Sequence, residues 1–143
     1  DWGSDGGGKE NLIVELGGSR MPISSANPKP ELFLNGREIF NFAVKNVPSS
    51  IYRCLKNAKI SLEDVDAIIL HQASFYVVDA IRKKLGVDEK KCPFILQDIG
   101  NTVASTLPMA LNELSKSYNL EGKIVILSGF GVGYSWGSML LRF

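Results

Sequence analysis

The chain has 143 residues, 45% of them hydrophobic, and its 16 Lys and Arg against 15 Asp and Glu leave a formal charge of +1. That is enough apolar material for one core and too short a chain for two. The even charge balance provides no electrostatic footprint for nucleic acid or an anionic membrane, and no apolar run approaches the roughly 20 residues that span a bilayer.

The opening DWGSDGGGKE is Gly-rich and aperiodic, and reads as a loop or a frayed end. NLIVELGG is a short strand closed by glycines. SRMPISSANPKPELFLNG, with three of the six prolines, reads as a long irregular connection of the kind that often carries function. From Ile39 the apolar residues Phe40, Ala43, Val44, Val47, Ile51, Leu55 and Ala58 recur at three- and four-residue steps, predicting an amphipathic helix that Pro48 bends or splits. Ser61, with Asp64 three residues on, is a turn before the strand DAIILH. Phe75, Val78, Ile81, Arg82 and Leu85 predict the next helix, with Gly86 as its stop. CPFILQDIGN reads as a second apolar strand, and NTVASTLPMALNELSKSY as a helix interrupted by Pro108. After Gly122, KIVILSGFGVGYSWGSMLLRF gives two β-rich runs joined by glycines. Strands alternating with helices predict an α/β layered fold, whose mostly parallel sheet gains an antiparallel strand from the last hairpin.

Ligands of open α/β sheets bind beyond the carboxyl ends of the strands, and three such ends carry unusual chemistry. They are His71, the only histidine, after DAIIL; Gly100 and Asn101 after FILQDI; and the GFGVG turn after KIVIL. If the first two strands run parallel, His71 and Asn101 project toward one edge. Each part also has a plain structural reading: a satisfied histidine, an N-cap asparagine, a hairpin of glycines. Together they suit stabilisation of an electrophile. A neutral imidazole N–H and a carboxamide N–H can both donate to one developing enolate or thioester oxygen, while glycine-loop amides hold a second oxyanion. A nucleophile is what the sequence lacks. Cys54 lies among IYRCLKN and Cys92 before Pro93, and neither has the setting that lowers a thiol pKa or the spacing of a zinc or redox motif. Such cysteine usage fits a reducing, cytoplasmic setting.

HQAS with IGNT, followed by GFGVGYSWGSMLLRF at the end of the chain, resembles the C-terminal half of a β-ketoacyl-acyl carrier protein synthase III, of the thiolase superfamily. The likeness runs from about Asp5 to Phe143 and includes NGREIFNFAV. It implies a thiolase-like half over residues 1–143, a mixed five-stranded sheet packed with helices, which in the intact homodimeric protein joins a similar half in α-β-α-β-α layers. The catalytic cysteine belongs to that other, N-terminal half, so this chain alone is expected to be inactive. A first residue that is not methionine agrees with a piece of something longer.

In the family reaction the cysteine takes an acyl group from acyl-CoA, and malonyl-acyl carrier protein then loses carbon dioxide to give the enolate that attacks it. The resemblance makes His71 and Asn101 the donors to the malonyl thioester carbonyl. It makes the turn from Phe130 through Gly131 and Val132 to Gly133 the oxyanion loop, with Phe130, Ser74 and Tyr76 meeting substrate. No metal or redox cofactor is implied, since coenzyme A and the carrier's phosphopantetheine enter as substrates. Three positions depart from the pattern: Ser74 stands where members often have Asn, Tyr76 where many have a basic residue for the acidic carrier, and Val132 where glycine is usual. These departures suggest a specialised relative. Related enzymes that build polyketides or move acyl groups without condensing, and a non-catalytic thioester-binding module, are the competing readings.

Overall fold

The computed structural model describes residues 1–19, 21–24 and 29–143. In chain order its elements are β1 (Trp2–Ser4), a 3-10 turn (Gly6–Asn11), β2 (Leu12–Val14), β3 (Leu32–Leu34), α1 (Gly36–Ala58), β4 (Ala67–Leu70), α2 (Phe75–Leu85), a 3-10 turn (Val103–Ser105), α3 (Thr106–Ser117), β5 (Ile124–Gly131) and β6 (Ser135–Arg142).

The sheet follows from the apolar run of β4. All four of its residues are buried: Ile68 and Leu70 face α1 and α2, while Ala67 and Ile69 face α3. Such a run, apolar without alternation, is what a parallel strand covered on both faces requires. β4 pairs in parallel with β5, from Ala67 opposite Val125 to Leu70 opposite Ser128. β5 and β6 form the antiparallel hairpin expected from their glycine-joined sequences. The main sheet runs in the order β1-β6-β5-β4, and β2 with β3 makes a separate two-stranded ribbon.

α1 is one helix across Pro48, neither ended nor split there. Pro48 denies the Val44 carbonyl its donor, a cost of about 3 kcal/mol. Burial of Phe42, Val47, Ile51 and Leu55 along one stripe outweighs it, at roughly 1.5–3 kcal/mol for each side chain. Asn35 caps the start, its side chain accepting from the Glu38 N–H.

Three other expectations are corrected. DWGS is not a frayed end: Trp2, Gly3 and Ser4 pair with Gly137, Trp136 and Ser135 of β6. This strand was hidden because its exposed edge has no apolar alternation. Part of the irregular connection is strand, since Leu32–Leu34 pairs with β2, whereas Arg20 and residues 25–28 of that connection lie outside the described residues. Finally, CPFILQDIGN forms no ladder, so the sheet has four paired strands among the described residues instead of five. Pro93 has no N–H to give. The run is tied to β4 by one backbone bond, Ile68 N–H to the Lys91 carbonyl at 2.7 Å, and beyond it by the side chain of Gln72. Among the described residues no helix is long and apolar enough to cross a membrane.

Candidate functional site

Because β4 and β5 are parallel, their carboxyl ends share one edge, and the ladder continues one residue past β4: the His71 N–H donates to the Ser128 carbonyl at 2.8 Å. β5 runs on through Gly129, Phe130 and Gly131. This overhang sets the Phe130 ring edge-on to the imidazole, centroids 5.2 Å apart at 73°. The hairpin then turns with its positive φ at Gly133 (107°), so Val132, which lies outside the positive-φ set, meets no left-handed strain.

Asn101 reaches the same edge by a different device. Gln72 is 1% exposed, and its Oε1 accepts from the Ile95 N–H at 2.8 Å and the Leu96 N–H at 3.5 Å, while its Nε2 donates to the Leu70 carbonyl at 2.8 Å. One side chain thus performs the pairing of the missing strand. The run ends in a turn in which the Gly100 N–H donates to the Leu96 carbonyl at 2.8 Å. Gly100 has φ 80°, a conformation a side chain would strain. Asn101 follows, and its Oδ1 accepts from the Val103 N–H at 2.9 Å, leaving Nδ2 as its donor. α3 then begins at Thr106, and Pro108 falls in its first turn, where a missing N–H costs the helix nothing.

Thr106 is fully buried and ties these parts together: its Oγ1 lies 2.5 Å from His71 Nδ1 and donates to the Val103 carbonyl at 2.9 Å. Val103 has φ 57°, a strained state for a β-branched residue. It is also 72% exposed, so packing of its side chain does not offset that strain.

Two adjoining cavities of about 420 and 320 Å³ open at this edge and share Leu12, His71, Asn101, Phe130, Gly131 and Val132. Among the described residues no charged side chain lines either. Burial lowers the pKa of His71 below its ordinary 6.5, so the ring is neutral at neutral pH. The site is an apolar pocket with two convergent polar side chains and a glycine turn. That suits a small electrophilic carbonyl better than an anion held in its ground state. Larger concavities of about 610 and 740 Å³ contain neither His71 nor Asn101; the first borders the site, sharing Leu107, Gly129, Phe130 and Gly131 with the 420 Å³ cavity, and the second lies elsewhere on the surface.

The expected residues divide. His71, Asn101, Phe130, Gly131 and Val132 come together. Ser74 reaches the margin of one cavity, but its Oγ also caps α2, accepting from the Val77 N–H at 3.4 Å. Tyr76 is 79% exposed, stacks edge-on to Phe75, and lines neither cavity. Gly133 shapes the turn without lining it. Cys54 and Cys92 are both buried, and burial pushes the Cys92 thiol up to about 12. Thr106, Gln72 and Val103 were missed. Gln72 had left a signal, a polar residue wedged between apolar runs in HQAS. Thr106 had left none beyond its place five residues after Asn101. Among the described residues no three His, Cys, Asp or Glu side chains gather as metal ligands do.

Residues 55–143 match the family model described as 3-Oxoacyl-[acyl-carrier-protein (ACP)] synthase III C terminal. A β-ketoacyl-acyl-carrier-protein synthase III of Pyropia yezoensis is 40% identical over 129 residues, covering 90% of this chain and 39% of that relative. One of Clostridium acetobutylicum is 37% identical over 143 residues, covering 98% and 44%. A 2.1 Å crystal structure of a 3-oxoacyl-(acyl-carrier-protein) synthase III superposes with a TM-score of 0.95 at 37% identity, over 100% of this chain and 46% of that one. The chain therefore spans less than half the length of the relatives it matches.

Proposed function

Because the chain belongs to the family of 3-oxoacyl-acyl-carrier-protein synthase III C-terminal domains, we propose that it is the thiolase-like half that stabilises the enolate in an acyl-thioester condensing enzyme of fatty-acid biosynthesis. A cysteine on another part of the full-length protein takes the acyl group from acyl-CoA. Malonyl-acyl carrier protein then docks with its thioester carbonyl between His71 and Asn101. Loss of carbon dioxide leaves an electron pair delocalised onto that carbonyl oxygen. The two side chains meet the charge as it develops, and the carbanion carbon attacks the acyl-cysteine. The turn at Gly131 and Val132 faces the second oxyanion, formed at the acyl-cysteine. The active protein is a cytoplasmic homodimer. The reading calls on no metal or redox cofactor, and coenzyme A and the carrier's phosphopantetheine take part as substrates.

The observation that carries the reading is the convergence of His71, Asn101 and the Phe130–Val132 segment on one uncharged pocket. The test is malonyl-thioester decarboxylation by the full-length protein, compared with His71→Ala and Asn101→Ala. Each substitution is expected to lower the rate by about 100-fold or more, the loss for a removed oxyanion donor. Variants that match the parent would overturn the assignment.

A further inference from the structure

The hydrogen bonds around Thr106 decide which nitrogen of His71 carries the proton. A threonine hydroxyl has one hydrogen, and a backbone carbonyl can only accept. Thr106 Oγ1 sits 2.9 Å from the Val103 carbonyl oxygen and 2.5 Å from His71 Nδ1. If the hydroxyl gave its hydrogen to Nδ1, two oxygens 2.9 Å apart would face each other with only lone pairs between them, although the carbonyl keeps its bond from the Thr106 backbone N–H. Giving it to Val103 fills the second lone pair of that carbonyl and leaves a lone pair on Oγ1 for an Nδ1–H. The same Val103 residue holds Asn101, whose Oδ1 takes the Val103 N–H. One strained residue therefore sets both side chains, Asn101 through its N–H and His71 through Thr106.

Resting on the condensing-enzyme reading, we propose that Thr106 and the Val103 carbonyl fix His71 as the Nδ1–H tautomer, so that Nε2 meets the pocket as a lone pair and donates to the substrate only when the ring carries a second proton. Asn101 Nδ2 is then the permanent donor of the site and His71 a conditional one. Thr106 is a positioning residue. This reverses the neutral-donor role expected from the sequence.

Among the described residues, no charged side chain and no titratable one besides His71 itself lines either cavity, whether from α1, α2, β4, α3 or the β5–β6 turn. The desolvation that holds the ring neutral in the empty site is therefore opposed only when a negative charge forms beside it. The enolate oxygen is such a charge, and it favours the doubly protonated ring at the moment donation is needed. Decarboxylation accordingly slows as pH rises through the pKa of His71.

The test uses the full-length protein labelled with 15N-histidine, His71 being assigned by its loss in His71→Gln. At neutral pH the expected spectrum has a pyrrole-like Nδ1 and a pyridine-like Nε2. Thr106→Val, equal in shape without the hydroxyl, is expected to release the ring to the Nε2–H form, lower kcat about ten-fold at unchanged KM, and flatten the pH dependence. Thr106→Ser, which keeps the hydroxyl, restores all three. A pyrrole-like Nε2 in the parent overturns the proposal, as does a Thr106→Val spectrum identical to it or a parent rate that is flat across the histidine range. If Thr106→Val does not fold, the parent spectrum still decides. The spectrum is independent of turnover: an Nδ1–H ring in a protein whose His71→Ala variant decarboxylates normally sinks the condensing-enzyme reading and leaves the tautomer standing.

Discussion

Replacing Gln72 with Leu tests whether one amide really stands in for a strand. Leucine has a comparable volume, though it branches one carbon earlier, so the change opens little cavity and the cost is mostly polar. In the parent, the Ile95 N–H and the Leu70 carbonyl each meet the Gln72 amide at 2.8 Å, and the residue is 1% exposed. The Leu96 N–H at 3.5 Å is marginal and is left out of the sum. Leaving two buried backbone groups without partners costs about 1–3 kcal/mol each, so about 2–6 kcal/mol in all. Every 1.4 kcal/mol is tenfold, so hydrogen exchange at the Ile95 amide should quicken by roughly ten- to a hundred-fold even if water recovers part of the loss. Exchange mass spectrometry on the full-length protein reads this directly. Because the run from Pro93 carries Gly100 and Asn101, decarboxylation should fall with it, while β4 and β5 keep their protection. Unchanged exchange at Ile95 in Gln72→Leu would refute the reasoning and mean that backbone pairing alone holds the run.

Further outcomes follow from strain, close approach and charge. Val103→Asn keeps the left-handed backbone that Val103 adopts at φ 57° in a residue that tolerates it. It should raise stability by about 1 kcal/mol, seen as a higher unfolding midpoint, and a lower one would show that the valine side chain contributes more than its exposure implies. Gly8→Ala should be strongly destabilising, because a Cβ there overlaps the Tyr134 ring that stacks on Phe42 at 4.0 Å. Overpacking of this kind costs about 1–3 kcal/mol, which a urea midpoint measures. The Asp66 carboxyl is held below its ordinary 3.8 by the Ile124 N–H at 2.9 Å and then by the Lys123 ammonium at 3.1 Å. With the folded pKa below the unfolded one, its contribution is complete above 3.8 and is lost as pH falls through the lower folded value. The stability gap between the parent and Asp66→Asn should therefore close on acidification, and a gap that widens would refute the sign.

Much of the site was legible because its strong signals are local. An apolar tetrad ending in the only histidine predicts a buried parallel strand with that histidine at its mouth, and Gly86 stops its helix where the periodicity ends. What escaped was non-local. β1 exists only because β6 lies beside it, and three residues with Trp2 84% exposed carry too little apolar pattern to read. The run from Cys92 to Leu96 has strand composition but lacks a strand's pairing, since Pro93 removes a donor and a glutamine 23 residues upstream of Ile95 supplies the acceptor. The Thr106 contact spans 35 residues and turns on a single hydroxyl.

The residues that were missed explain how those that were seen can act. Each polar side chain at the site spends one atom on its own position and keeps another for chemistry: Asn101 anchors Oδ1 and presents Nδ2, and His71 anchors Nδ1 and presents Nε2. The anchors lie in backbone that regular structure satisfies only in part, where β4 has run out, the next run never pairs, and α3 has yet to begin. The Val103 N–H, and a Val103 C=O that takes the Thr106 N–H and still has room for a second donor, are what such an edge leaves over, and they hold the pair. A continuous fifth strand or an earlier helix start would satisfy those groups internally and leave both side chains free to turn. The loss of regular structure at this edge is therefore a condition of the site's preorganisation, because donors aimed in advance need no rearrangement when charge appears.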